Sequence, residues 1–280
     1  MVSINSNYAA NFAAKAARQT TTELNSAMEK LSTGKRINYA RDDAAGQAIA
    51  VRLTAEIQGL AVAARNAADG QSMVDTADGA LQETQTLLLR MRELAVQSSN
   101  ATNSTADKAS LELESRQLEI EIQRTANNTT WAGKVLLNGT FSGDEDSAGR
   151  TFQIGTDSGQ TIELSIPELT ATAVTIGYSV ALSIGSFTGA QSAIVTIDDG
   201  MSTLANVRAN IASKMNRLDH TIANLENVVT NLSQSKGRIV DADFATETAN
   251  LARTQVLQQA SMAMLSQANA SKQNILALFQ

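Results

Sequence analysis

The stretch LANVRANIASKMNRLDHTIANLENVVTNLSQSKGRIV, residues 204–240, decides the fold. In it Leu204, Ile211, Leu218, Leu225, Leu232 and Ile239 recur every seven residues, and Met215, Ile222 and Val229 each fall four after one of them. Apolar side chains stepping by four and three lie along one seam of a helix that winds against a partner. The partner series lies upstream: Leu53, Leu60, Ala67, Val74, Leu81, Leu88 and Ala95. A shorter run, Leu111, Leu118 and Ile122, follows a polar break from Ser98 to Thr105. A helix over 43–99 would extend about 85 Å. Gly70 is its weak point, costing about 1 kcal/mol against Ala. These segments are expected to fold back on one another as a long antiparallel bundle, so that both termini emerge at one end. The fold class is mainly α.

The middle of the chain reads differently. Residues 141–200 hold eight of the 16 glycines and the one proline, Pro167. Eight acids against Arg150 alone leave this span at net −7, while the rest of the chain sits near +1. Strand-like alternation over Thr151–Gly155 and Gln160–Ile166 surrounds a Thr-Asp-Ser-Gly turn, a hairpin signal. Ala173 to Ile184 and Ala193 to Ile197 are further β-branched runs. The expectation is a small β-rich insert over 141–199, displayed outward. The bundle then comprises 43–140 and 200–239, and a separate terminal coiled coil 1–42 and 240–280.

The two tips have their own character. Ala9 to Leu31 is rich in alanine, and Thr254 to Ser271 has no charged residue at all. Ala249, Ala252, Val256, Leu257, Ala260, Met264 and Ala268 form a broad apolar band at helical spacing. Left in water, such a helix is a sticky patch, and such patches mark interfaces. The residues expected to carry subunit assembly are Leu24, Met28, Leu31, Leu251, Val256, Leu257, Met264, Leu265, Ile275 and Leu278.

Enzyme chemistry finds little to stand on. His220 is the one histidine and there is no cysteine, so neither a triad nor a His/Cys metal cluster can be assembled. No cofactor or metal is expected. Asp42-Asp43, Asp198-Asp199 and Asp241-x-Asp243 each precede an expected helix, where aspartate caps the first turn. Ser32-Thr33-Gly34-Lys35-Arg36 lacks the first glycine and final Ser/Thr of a phosphate loop. A net charge of −6 argues against nucleic acid. Thr254–Ser271 is too laced with Gln, Ser and Asn to span a membrane, and Met1–Ala17 lacks the regions of a cleaved secretory signal.

Ordered motifs then point to a family. Leu31-Ser32-Thr33-Gly34-Lys35-Arg36-Ile37-Asn38 with Asp42-Asp43-Ala44-Ala45-Gly46 resembles the N-terminal signature of bacterial flagellins. Arg90-Met91-Arg92-Glu93-Leu94-Ala95-Val96-Gln97 is similar to the family's next motif, and Asp241-Ala242-Asp243-Phe244 with Gln255-Val256-Leu257-Gln258-Gln259-Ala260 to its C-terminal one. Trp131 stands where Phe is usual, Lys272 where Pro is common, and Leu89 where recognised members often carry Gln. The resemblance implies a non-enzymatic subunit of the extracellular flagellar filament, secreted unfolded through the flagellar type III channel. Its implied partners are identical copies, cap and hook-junction proteins, an export chaperone, and a toll-like receptor of the host touching Arg90, Leu94 and Glu114. A hook–filament junction protein, or another type III-secreted filament-type structural subunit, shares the terminal pattern and is the alternative.

Overall fold

The computed structural model describes residues 7–139, 141, 150–166 and 182–277. Five helices dominate: α1 (Tyr8–Thr33), α2 (Ala44–Ser98), α3 (Thr105–Asn128), α4 (Phe187–Val240) and α5 (Phe244–Ala277). Among the described residues, two antiparallel hairpins lie between α3 and α4 in sequence. Strands β1 (Thr130–Trp131) and β2 (Lys134–Val135) form one, and β3 (Arg150–Gln153) and β4 (Thr161–Leu164) the other. The mainly α bundle with a small β portion is the class the periodicity predicts. The chain divides into two compact units, Met1–Ile57 with Thr230–Gln280, and Gln58–Val229.

The core of the 58–229 unit is built on the expected heptads. Leu60, Ala67, Val74, Leu81, Leu88 and Ala95 are buried along α2, and Leu204, Ile211, Leu218 and Leu225 along α4. A second seven-residue column escapes a reading for large aliphatics. Ala63, Gly70, Ala77, Thr84, Met91 and Ser98 are all buried. Small side chains there let neighbouring elements approach α2 closely. The hydroxyls of Thr84 and Ser98 donate to the carbonyls of Ala80 and Ile184, so neither is an orphan donor.

Polar rungs fix the register. Arg92 Nε reaches Asp198 Oδ1 at 2.6 Å, Arg208 Nε reaches Asp78 Oδ1 at 2.8 Å, and Gln71 Nε2 donates to Asp219 Oδ1 at 2.8 Å. As numbers fall along α2 they rise along α4, so the two helices run antiparallel. Helix α3 opens with a capping box: Asp107 N–H donates to Ser104 Oγ, and Ser104 N–H to Asp107 Oδ2.

The insert departs from the expectation in two ways. Helix α4 starts at Phe187, so the β-branched run Ala193–Ile197 is helical. Ala190 and Ile197 continue the seven-residue column of Leu204 backwards, and their burial outweighs the β-propensity of the run. Asp198 and Asp199 therefore sit inside a helix and cap nothing; Asp198 is held by Arg92 instead. The hairpin signal around residues 151–166 is realised as β3–β4, but the hairpin is seated on the bundle. Ile162, Leu164 and Ile166 are buried in the common core, and Asn66 Nδ2 on α2 donates to Gln153 O at 3.1 Å. Residues 173–181 of the other β-branched run lie outside the described residues.

The candidate assembly interface

Within the unit that joins the two ends of the chain, α1 and α5 form an antiparallel pair. Lys30 Nζ meets Glu247 Oε1 at 3.1 Å, Gln258 Nε2 donates to Thr21 Oγ1 at 3.2 Å, and Asn7 Nδ2 to Ala268 O at 3.2 Å. Ala13, Thr20 and Ala27, spaced by seven, are buried along the seam, and Thr254 is buried on the α5 side. Seam residues this small bring the backbones close but bury little apolar area, so much of the helices' apolar surface faces outward.

Both helices of the pair are anchored at one joint. Lys35 and Asp241 form an isolated antiparallel bridge. Arg36 N–H donates to Val240 O at 2.7 Å, Arg36 Nη2 to Ile239 O at 2.7 Å, and Ala242 N–H to Gly34 O at 3.0 Å. Gly34, at φ +69°, ends α1 in the left-handed conformation that glycine adopts without strain. Asp43 Oδ1 accepts from Gly46 N–H at 2.8 Å at the start of α2, and Asp243 Oδ1 accepts from Ala245 N–H at 3.0 Å at the start of α5. These two aspartates are the caps that the sequence predicts. Asp42 instead ties the loop, accepting from Asn38 and Tyr39 N–H. Ile37 is buried under this joint.

Electrostatics follow the hydrogen bonds. The Thr246 hydroxyl, then the Thr246 and Ala245 amides, hold the Asp243 carboxyl below its ordinary value. Burial pushes Glu247 up, but the Asn250 amide and Lys30 ammonium outweigh it, and the net shift is downward. A groove of about 260 Å³ opens along the pair, lined by Glu23, Ala27, Lys30, Glu247, Arg253 and Leu257 among others.

The residues expected to carry assembly separate into two sets. Leu24, Leu31, Leu251 and Leu265 are half-buried, whereas Met28, Val256, Leu257 and Met264 are exposed. Ile275 lies on α5, and Leu278 is outside the described residues. Tyr8 and Phe12, which periodicity alone did not single out, are three-quarters exposed on α1. Their exposure adds to that of Met28 on the same helix.

The expected receptor contact separates too. Arg90 and Glu114 are exposed, joined at 2.7 Å, and Glu114 followed by Glu93 raises the arginine's pKa. Leu94, however, is 0% exposed. It is a core residue and offers no surface, because the heptad geometry turns it into the bundle.

Among the described residues no group of His, Cys, Asp and Glu is arranged to hold a metal, and no helix is long and apolar enough to cross a membrane. Residues 4–142 match the model of the bacterial flagellin N-terminal helical region, and residues 194–279 that of the bacterial flagellin C-terminal helical region. This chain belongs to the bacterial flagellin family. A flagellin of Halalkalibacterium halodurans is 44% identical over 254 residues, covering 91% of each chain. A flagellar filament 31.3 kDa core protein of Treponema maltophilum is 37% identical over 90% of this chain and 91% of its own. The crystal structure of Bacillus cereus flagellin superposes with a TM-score of 0.50 at 32% identity, covering 57% of this chain and 88% of that one. The family is structural, and this member is not an enzyme.

Proposed function

We propose that this chain is the structural subunit of an extracellular flagellar filament and polymerises through the outward faces of α1 and α5. The observation that carries this is the exposure of Tyr8, Phe12, Met28, Val256, Leu257, Met262 and Met264 on a helix pair whose own seam is made of Ala and Thr. Burying each such side chain in a neighbour contributes about 1.5–3 kcal/mol, a driving force the isolated chain leaves unused. Repeated head-to-tail contacts whose rotation does not close build a helix rather than a ring. The long axial helices then transmit torque for swimming.

The same exposed face implies handling before assembly. Family membership supports reading in an export chaperone covering α5, passage through the type III channel in the unfolded state, and placement beneath a cap above the hook-junction proteins. Absence of cysteine suits a chain that must be threaded unfolded, since no disulfide has to be broken. A toll-like receptor of the host would find Arg90 and Glu114 at the surface, with Leu94 supporting them from the core.

The test is polymerisation of the purified chain, followed by electron microscopy. The full chain is expected to form micrometre filaments, and a truncation lacking residues 254–280 to stay monomeric. Filaments from the truncated chain, or a full chain that remains monomeric at high concentration and high salt, overturn the reading.

A further inference from the structure

We infer that Met28, Met262 and Met264 are a site of reversible oxygen-atom transfer from hydroperoxides, and that their oxidation blocks polymerisation; this rests on the assembly reading above. The thioethers of this protein are partitioned. Met28, Met262 and Met264 are 47%, 54% and 64% exposed, and all lie on α1 or α5. Met73 and Met91, in the core of the other unit, are each 1% exposed. Met201 and Met215 are half-buried against that core. Among the described residues, the open thioethers are those on the helices that association has to cover.

The chemistry needs a hydroperoxide from outside and, within the chain, only the thioethers. A sulfur lone pair attacks one oxygen of the hydroperoxide, the O–O bond breaks, and an S–O bond forms. The thioether loses two electrons, the peroxide gains them, and with hydrogen peroxide the leaving hydroxide takes up a proton and departs as water. With no cysteine in the chain, no thiolate competes for the oxidant. The product is a polar, chiral sulfoxide in place of a flexible apolar side chain. Three sulfoxides on helices meant to be dried by neighbouring copies have to be desolvated, which opposes association. Sulfoxide reductases that draw on thiols restore the thioether, one enzyme for each epimer.

The experiment treats purified full-length monomer and, separately, preformed filaments with dilute hydrogen peroxide, and maps oxidation by peptide mass spectrometry. In the monomer, Met28, Met262 and Met264 are expected to oxidise before Met73, Met91, Met201 and Met215. The critical concentration should rise about ten-fold or more, and reductase treatment should restore it. In preformed filaments the same three residues should be protected. A chain carrying M28L, M262L and M264L should show the same critical concentration after peroxide as it showed before. Faster oxidation of Met201 or Met215, or unchanged polymerisation of a monomer fully oxidised at the three positions, overturns this inference and leaves the assembly reading standing. Failure of the untreated chain to polymerise overturns the assembly reading itself.

Discussion

Gly70 on α2 lies beneath Leu164 on β4: a methyl group added at Gly70 would stand 3.3 Å from Leu164 Cδ1 and 3.4 Å from Phe152 Cδ1. The glycine that looks like a flaw in a 55-residue helix is the place where the hairpin docks. Its cost in helix propensity is offset by burial of Ile162, Leu164 and Ile166.

Replacing this glycine tests the seat. Gly70→Leu must push the hairpin away or strain its own side chain, and is expected to cost about 1–3 kcal/mol. Gly70→Ala sets a helix gain of about 1 kcal/mol against a tight but small contact, so it should lie much nearer neutrality. Urea unfolding of both variants measures the difference. Equal midpoints for the leucine variant and wild type would show that the hairpin does not need the close approach.

The first hairpin carries strain of the opposite kind. Ala132 sits at φ +49° and Gly133 at φ +78° in the turn between β1 and β2. A left-handed alanine costs about 1–2 kcal/mol, part of which Gly recovers after its larger unfolded-state entropy is counted. Ala132→Gly is therefore expected to stabilise the protein by about 0.5–1 kcal/mol. Thermal unfolding checks it, and a lowered melting temperature would contradict the geometry.

Gly34 offers a cleaner backbone test, because nothing lies within 4 Å of a Cβ added there while its φ is +69°. Gly34→Ala should cost about 1–2 kcal/mol through conformation alone, and Gly34→Asn less, since Asn tolerates this region. The order Gly, Asn, Ala in chemical-denaturation midpoints is the expected outcome. An alanine variant as stable as wild type would mean that the end of α1 relaxes freely.

Acid should loosen the start of α5. The folded Asp243 carboxyl lies below its unfolded value, so its contribution is fully present above the unfolded pKa of about 3.9. It is lost as pH falls through the depressed folded value. Helicity followed by circular dichroism between about pH 5 and pH 2 should fall with acid, and Asp243→Asn should be less stable at neutral pH with a flatter acid dependence. A variant that keeps the steep wild-type profile would assign the acid response to other carboxylates.

The candidate site was legible only in part. The uncharged run Thr254–Ser271 leads one to expect apolar side chains facing outward, and Val256 and Met264 are exposed. Which leucines face out was not legible: Leu24, Leu31, Leu251 and Leu265 are already half-buried, because α1 and α5 cover part of each other. Nor could Asp198 be told from a cap, since its partner Arg92 is 106 residues away.

What the sequence determined by itself is the repeat: apolar residues every seven positions specify long helices and the columns they bury, whatever the rest of the chain does. Capping by Asp43 and Asp243 is likewise local, an aspartate one residue ahead of its helix. Tertiary structure alone decided the matters that depend on distant partners. It buried the small column Ala63, Gly70, Ala77, Thr84 and Ser98, which carries no hydrophobic signal, and drew the β-branched run Ala193–Ile197 into a helix. The physical reason is the same in each case. Local propensities differ by about 1 kcal/mol or less, whereas burial against a neighbour is worth more and is known only once the neighbour is in place.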